Sequence, residues 1–145
     1  MTGEPEYLAP LKDEAPPGWL VTGYPWDAIE SPAHRAFRDA YMARFKEPPN
    51  MGALIGYINM EVLGKAIREG GSTQTDALIH AMEHLSVDTP VGPIAFRAID
   101  HQSTLGVYVG RLDVRGGQGA LTDWRYFDGA DFQPDDAFVE EMRKP

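Results

Sequence analysis

The sharpest chemical spacing in this sequence is His80-Ala81-Met82-Glu83-His84, an H-x-x-E-H pattern. On a helix, residues four apart share a face, so two imidazoles can grip one zinc ion while the glutamate serves as a base. That chemistry needs a third ligand, and downstream only Glu140 and Glu141 are placed to supply one, from the tail. Leu78, Ala81, Met82 and Leu85 claim the core side of the same helix, which turns His80 and His84 toward solvent. A small zinc hydrolase built on residues 80–84 is therefore the alternative reading. The preferred one is a pair of solvent-side histidines, with no metal ligand assigned.

Other polar groupings lead nowhere catalytic. Asp100-His101-Gln102-Ser103 contains the residue types of a hydrolytic triad, but triad members converge from separate elements, and no G-x-S-x-G elbow is present. It reads as a polar loop between strands. Gly116, Gly117 and Gly119 lack the following helix and Lys-Ser/Thr pair of a phosphate loop, so they read as turn glycines. Trp19, Tyr24, Trp26 and Tyr57 form an aromatic group that reads mainly as core. Trp26 is the exception, because it follows Pro25 just beyond the end of a strand, where ligands of open α/β sheets bind.

The elements that must position these residues follow from local patterning. Gly18 to Gly23 is a short apolar run bounded by glycines, the mark of a buried strand. A first helix starts with Ser31 as N-cap and Pro32 at the first helical position, and carries Ala33, Phe37, Ala40, Tyr41 and Phe45 as one apolar stripe. Pro48-Pro49 ends it. A second helix spans about Met51 to Glu69, apolar nearly all round in its first half and stopped by Gly70-Gly71. Thr73 is expected to cap a third helix, with Asp76 in its first turn. Residues 91–96 and 105–114 read as strands, the latter apolar on both faces as in a sheet covered on both sides. Residues 115–119 form a turn and 120–127 return as a strand. The order is strand, three helices, then strands. Residues 1–17 read as an extended lead-in or a broken helical turn outside the core, and 128–145 as an acidic tail with a short helix from Asp135 to Arg143.

Composition bounds the function. The 145 residues carry 13 Lys and Arg against 22 Asp and Glu, a net charge of −9, which disfavours nucleic acid and anionic membranes. With 43% apolar and 24% charged residues the chain is globular and long enough for one core. The absence of cysteine excludes disulfides and thiol chemistry. No apolar run approaches the ~20 residues of a membrane span, and residues 1–11 do not read as a signal peptide.

Gly18-Trp-Leu-Val-Thr, the segment Ser-Pro-Ala-His-Arg-Ala-Phe-Arg-Asp-Ala-Tyr from Ser31, and Arg44-Phe45-Lys46-Glu47-Pro48 stand in order before Tyr57. Ala66-Ile67 and Gly70-Gly71-Ser72-Thr73 follow, then Leu85 to Phe96, with Asp88-Thr-Pro-Val-Gly-Pro the most telling piece, and Asp100-His101-Gln102. This ordered series resembles the branched-chain amino-acid (Leu/Ile/Val) binding proteins, the type I periplasmic substrate-binding components of ABC transporters. It covers roughly Gly18 to Arg125.

The resemblance implies an α/β fold with helices packed on a small sheet, an incomplete, carboxyl-terminal portion (residues 18–127) of a two-lobed clamp. Hinge crossings are expected near 21–26 and 105–110. It implies a non-enzymatic receptor for amino acids or related small ligands, periplasmic in its full-length form, docking on an ABC transporter permease and needing no cofactor. Trp26, Met51 and Gly52 are the expected ligand-binding positions. Met51 or Gly52 stands where the family can place an apolar or aromatic contact, although Gly52 has no side chain to grip with. The residues that hold a ligand's carboxylate and most that hold its amino group lie upstream of anything present, so the chain alone is expected to bind weakly or not at all. Exposed sheet edges predict homodimers or poor solubility. A stand-alone interaction domain is a further alternative.

Overall fold

The computed structural model describes residues 3–144; the outermost positions of the expected lead-in and tail, 1–2 and 145, lie outside the described residues. Ten helices and strands follow in order: α1 (Pro5–Leu11), β1 (Leu20–Gly23), α2 (Pro32–Phe45), α3 (Met51–Gly70), α4 (Thr75–Met82), β2 (Ser86–Thr89), β3 (Gly92–Ala95), β4 (Val107–Arg115), β5 (Gln118–Phe127) and α5 (Asp136–Met142). Short 3₁₀ turns occupy Lys12–Glu14 and Gly129–Phe132. The α/β class and the strand-helices-strands order are those expected from the sequence.

Local chemistry sets the boundaries. The Ser31 side chain accepts from the His34 N–H at 3.2 Å, with Pro32 opening α2. Asn50 caps α3 in the same way through the Ala53 N–H at 2.7 Å. Gly71 closes α3 in the left-handed conformation, φ 62°. Thr73 does not cap the third long helix: α4 begins two residues later, with Gln74 as an N-cap that makes no side-chain bond. Asp135 caps α5 through the Phe138 N–H.

Two antiparallel sheets result, β1-β4-β5 and the β2-β3 hairpin. β4 and β5 are joined by Gly116-Gly117, both at positive φ (58° and 76°), as a tight two-residue hairpin requires. β2 is a strand beyond those expected from the sequence. Its partner β3 fixes it, and Thr89 Oγ1 holds the connection by donating to the Gly92 carbonyl at 2.6 Å.

The core is one cluster that includes Leu54, Ile58, Val62, Leu85, Ile94 and Leu112, with α3 packed on α4 and on β2 of the hairpin, and α1 packed on β5 of the three-stranded sheet. Three expectations about packing need correction. The lead-in is not outside the core, because Leu8 of α1 and Ala15 are buried, and α1 packs on β5. Residues 105–114 are not covered on both faces: Tyr108, Gly110 and Leu112 are buried, while on the alternate positions Val107 and Arg111 are exposed and Val109 is half-buried. β1 is likewise one-sided, with Leu20 exposed beside buried Val21.

The apolar stripe of α2 and the first half of α3 are also only partly covered. Phe37, Leu54 and Ile58 are buried, but Phe45 is 52% and Met60 65% exposed. Tyr41, Phe45 and Tyr57 line an open apolar groove of about 270 Å³ between the two helices. Ala33 faces solvent, and His34 takes the buried place one residue on.

Candidate functional site

The larger cleft, about 570 Å³, opens where the chain leaves β1. Pro25 and the turn after it set its rim, with Trp26 N–H donating to the Tyr24 carbonyl at 2.9 Å and Ala28 N–H to the Pro25 carbonyl at 3.0 Å. Trp26 lines the cleft, as its position after the strand suggested. The reason is this turn, however, and not the strand order of a parallel sheet, because β1 runs antiparallel to β4. Met51 and Gly52 do not line it; Met51 packs half-buried against the core and Gly52 is exposed on the first turn of α3. The cleft is reached instead by Glu47, Pro48 and Asn50 just before them. Glu6 of α1 ties this corner together by accepting from the Met51 N–H at 3.2 Å.

Trp124 is the lining residue that sequence reading missed. Between the pairs Val109↔Arg125 and Arg111↔Thr122, two residues of β5 stand opposite the single residue Gly110. This bulge, with Asp123 at φ 47°, re-aims the side chain that follows. A Cβ at Gly110 would lie 2.7 Å from the Thr122 carbonyl oxygen and 2.8 Å from Trp124 Cβ, so only glycine admits the bulged strand. The Trp124 ring packs edge-on against Tyr108 at 5.4 Å, and Tyr108 is pushed up to about 12 by burial.

Beneath the rim, Tyr24 and His34 form a buried polar pair. The Tyr24 hydroxyl and His34 Nε2 are 2.7 Å apart, with both residues at most 1% exposed. Burial raises the Tyr24 hydroxyl well above its ordinary value. Burial first, and Arg38 next, lower the His34 imidazole below its ordinary value, so the pair is neutral near pH 7. His34 Nδ1 has no partner of good geometry, although the Ile29 backbone favours its protonated form.

The cleft's charged lining is unbalanced. Glu6, Asp27, Glu47 and Asp123 stand against Arg115 alone. Four acidic residues and one arginine around an apolar indole wall suit a small solute carrying an ammonium group.

The two other groupings sort differently. Asp100 grips Arg97 through both oxygens, which holds its carboxyl at about 2. It therefore does not orient His101, and Ser103 Oγ is engaged with the Leu105 N–H. His80, Glu83 and His84 do come together, but neither cleft is lined by them. Glu140 and Glu141 are not part of that group. Among the described residues no helix is long and apolar enough to cross a membrane.

Comparison with known proteins bears on most of the chain. Residues 1–120 match the family model described as periplasmic binding protein. Among solved structures, an ABC-type branched-chain amino acid transporter from Rhodopseudomonas palustris CGA009 is 27% identical with a TM-score of 0.70, over 79% of this chain and 32% of that one. A solute binding protein of an ABC transporter from Rhodopseudomonas palustris BisB5, in complex with 3,4-dihydroxy benzoic acid, is 23% identical with a TM-score of 0.66, over 77% and 31%. A leucine-, isoleucine-, valine-, threonine- and alanine-binding protein from Brucella ovis is 21% identical with a TM-score of 0.67, over 81% and 33%. Comparison with curated proteins found no match. The chain aligns with about a third of the length of these structures.

Proposed function

Because this chain belongs to the periplasmic binding protein family, we propose that it forms one wall of a small-solute receptor serving an ABC importer. The observation that carries this reading is the cleft beyond β1, walled by Trp26 and Trp124 and rimmed by four carboxylates. Its relatives bind solutes of two chemistries, amino acids in one case and an aromatic acid in another. The acidic rim favours the first, since an amino acid can turn its ammonium group toward Glu6, Asp27, Glu47 and Asp123, whereas an aromatic acid has no cation to offer them. The solute is thus an amino acid or a similar ammonium-bearing molecule. The ordered sequence series supports a place in the carboxyl-terminal part of the branched-chain family's fold. Docking on a permease and action in the periplasm belong to the same reading, as does binding without catalysis.

The chain supplies one side of the cleft, and the rest comes from portions of the fold it does not contain. Calorimetric titration of the chain with leucine therefore gives a Kd no tighter than about 1 mM, near −4 kcal/mol. A micromolar Kd would show that this cleft is already complete and would overturn the one-wall reading.

A further inference from the structure

The histidine patch at the end of α4 takes no part in the cleft, and its geometry is that of a chelate. The sequence pattern expected one helix through His84, but α4 ends at Met82 and the turn that follows it, with His84 N–H donating to the Ala81 carbonyl at 3.4 Å, brings the His80 and His84 rings edge to face at a centroid distance of 5.4 Å. One ligand atom from each of His80, Glu83 and His84 lies within 4.8 Å of the others. Bonds of about 2.0–2.1 Å in a tetrahedral shell need ligand atoms roughly 3.3 Å apart. Exposed imidazoles close that gap by rotating about their side-chain bonds, since His80 is 78% exposed and unhindered.

The carboxylate between them is held more firmly. Glu83 is 25% exposed, with His101 Nε2 3.0 Å from its Oε1 and His80 Nδ1 3.6 Å from its Oε2. His101 comes from the β3–β4 loop, eighteen residues along the chain, and has a left-handed backbone at φ 62°. A carboxylate oriented by a second imidazole is the outer-shell arrangement that fixes metal ligands. Three of the chain's four histidines thus meet one glutamate, while the fourth, His34, is buried on Tyr24. Two imidazoles with one carboxylate suit zinc-class ions, whereas calcium and magnesium prefer all-oxygen shells.

We infer that His80, Glu83 and His84 bind one divalent transition-metal ion of the zinc class, with His101 positioning the Glu83 carboxylate. Oε1 stays on His101 and Oε2 faces the ion. The bound ion links the end of α4 to the β3–β4 loop through the Glu83–His101 contact. It acts as an ion-binding staple and not as a hydrolytic centre, because neither cleft adjoins it.

The test is calorimetric titration of the chelator-treated 145-residue chain with ZnCl₂, alongside visible absorption on adding CoCl₂. The wild type takes up one saturable equivalent, and His80→Ala combined with His84→Ala weakens binding at least about tenfold. His101→Ala weakens it by roughly 10–100-fold and alters the cobalt spectrum, while His101→Gln, which keeps an N–H donor, recovers most of the affinity. Circular dichroism checks that each variant is folded. Absence of saturable binding, or stoichiometric binding unchanged in the double variant, overturns the site. Equal losses in His101→Ala and His101→Gln overturn the positioning role.

Discussion

Tyr24→Phe removes one oxygen from beneath the cleft and nothing else. The phenyl ring keeps its edge-on packing against His34, whose centroid is 5.6 Å away. What is lost is the 2.7 Å hydrogen bond to His34 Nε2, in surroundings where neither residue reaches water. A neutral hydrogen bond contributes about 0.5–1.5 kcal/mol net, and an unsatisfied buried partner costs about 1–3 kcal/mol. Since His34 Nδ1 already lacks a good partner, the substitution leaves the whole ring unpaired, and the upper range applies. The expected loss is about 1–3 kcal/mol, or a fall in Tm of roughly 3–10 °C for a chain of this size. Urea unfolding followed by circular dichroism at pH 8 measures it.

The same pair sets a pH signature. The folded imidazole is depressed by burial and then by Arg38, so the unfolded chain takes up the proton first. Stability from neutral His34 is therefore fully present above about pH 6.5 and is lost as pH falls from there toward the depressed folded value. Asp100, held at about 2, loses its contribution only as pH falls below about 4, in a separate window. His34→Gln removes the upper slope and leaves the lower one. A Tyr24→Phe protein within about 0.3 kcal/mol of wild type, below the smallest expected hydrogen-bond term, would refute the buried-pair argument. An undiminished slope between pH 5 and 7 in His34→Gln would do the same.

Three further outcomes follow from the packing. Leu54→Ala, at a fully buried site, costs about 2–5 kcal/mol, whereas Phe45→Ala on the open groove stays within about 1 kcal/mol; matched urea curves compare them. Gly110→Ala forces a methyl group against the Thr122 carbonyl, costs about 1–3 kcal/mol and changes the near-ultraviolet dichroism of Trp124 as the bulge shifts. Arg97→Ala breaks the contacts to Asp100 and to the Pro134 carbonyl, so hydrogen exchange across Gly129–Met142 speeds up while α3 stays protected.

What the sequence made legible was whatever is decided within a few residues. Ser31 with Pro32, Gly71 after α3, the Gly116-Gly117 hairpin and Asp135 before α5 all state their geometry locally. Trp26 could be singled out for the same reason, because Pro25 and the end of β1 stand beside it. The misses are decided at a distance. Leu8 and Ala15 lie in a Pro- and Glu-rich stretch without clear periodicity, and only contact with the β4–β5 sheet region buries them. β2 is four residues long and exists because β3 pairs with it. The nearly all-apolar first half of α3 predicts burial on several sides, yet Leu54 and Ile58 share one covered face while Tyr57 and Met60 look outward. Trp124 depends on a bulge whose one sequence trace is Gly110 on the neighbouring strand. The Glu83–His101 contact needed the fold to close a loop that the sequence shows only as Asp-His-Gln-Ser.

The proposed function rests on the Trp26–Trp124 cleft being a wall for an ammonium-bearing solute. Chemical-shift mapping of the ¹⁵N-labelled chain with leucine, and separately with 3,4-dihydroxybenzoate, tests it most directly. Saturable shifts are expected at millimolar leucine, confined to the Trp26 and Trp124 indoles and residues 24–28 and 118–124, with much smaller ones from the aromatic acid. Leucine shifts that fall instead on Phe37, Tyr41 and Tyr57, or no saturable shifts at all, would contradict it.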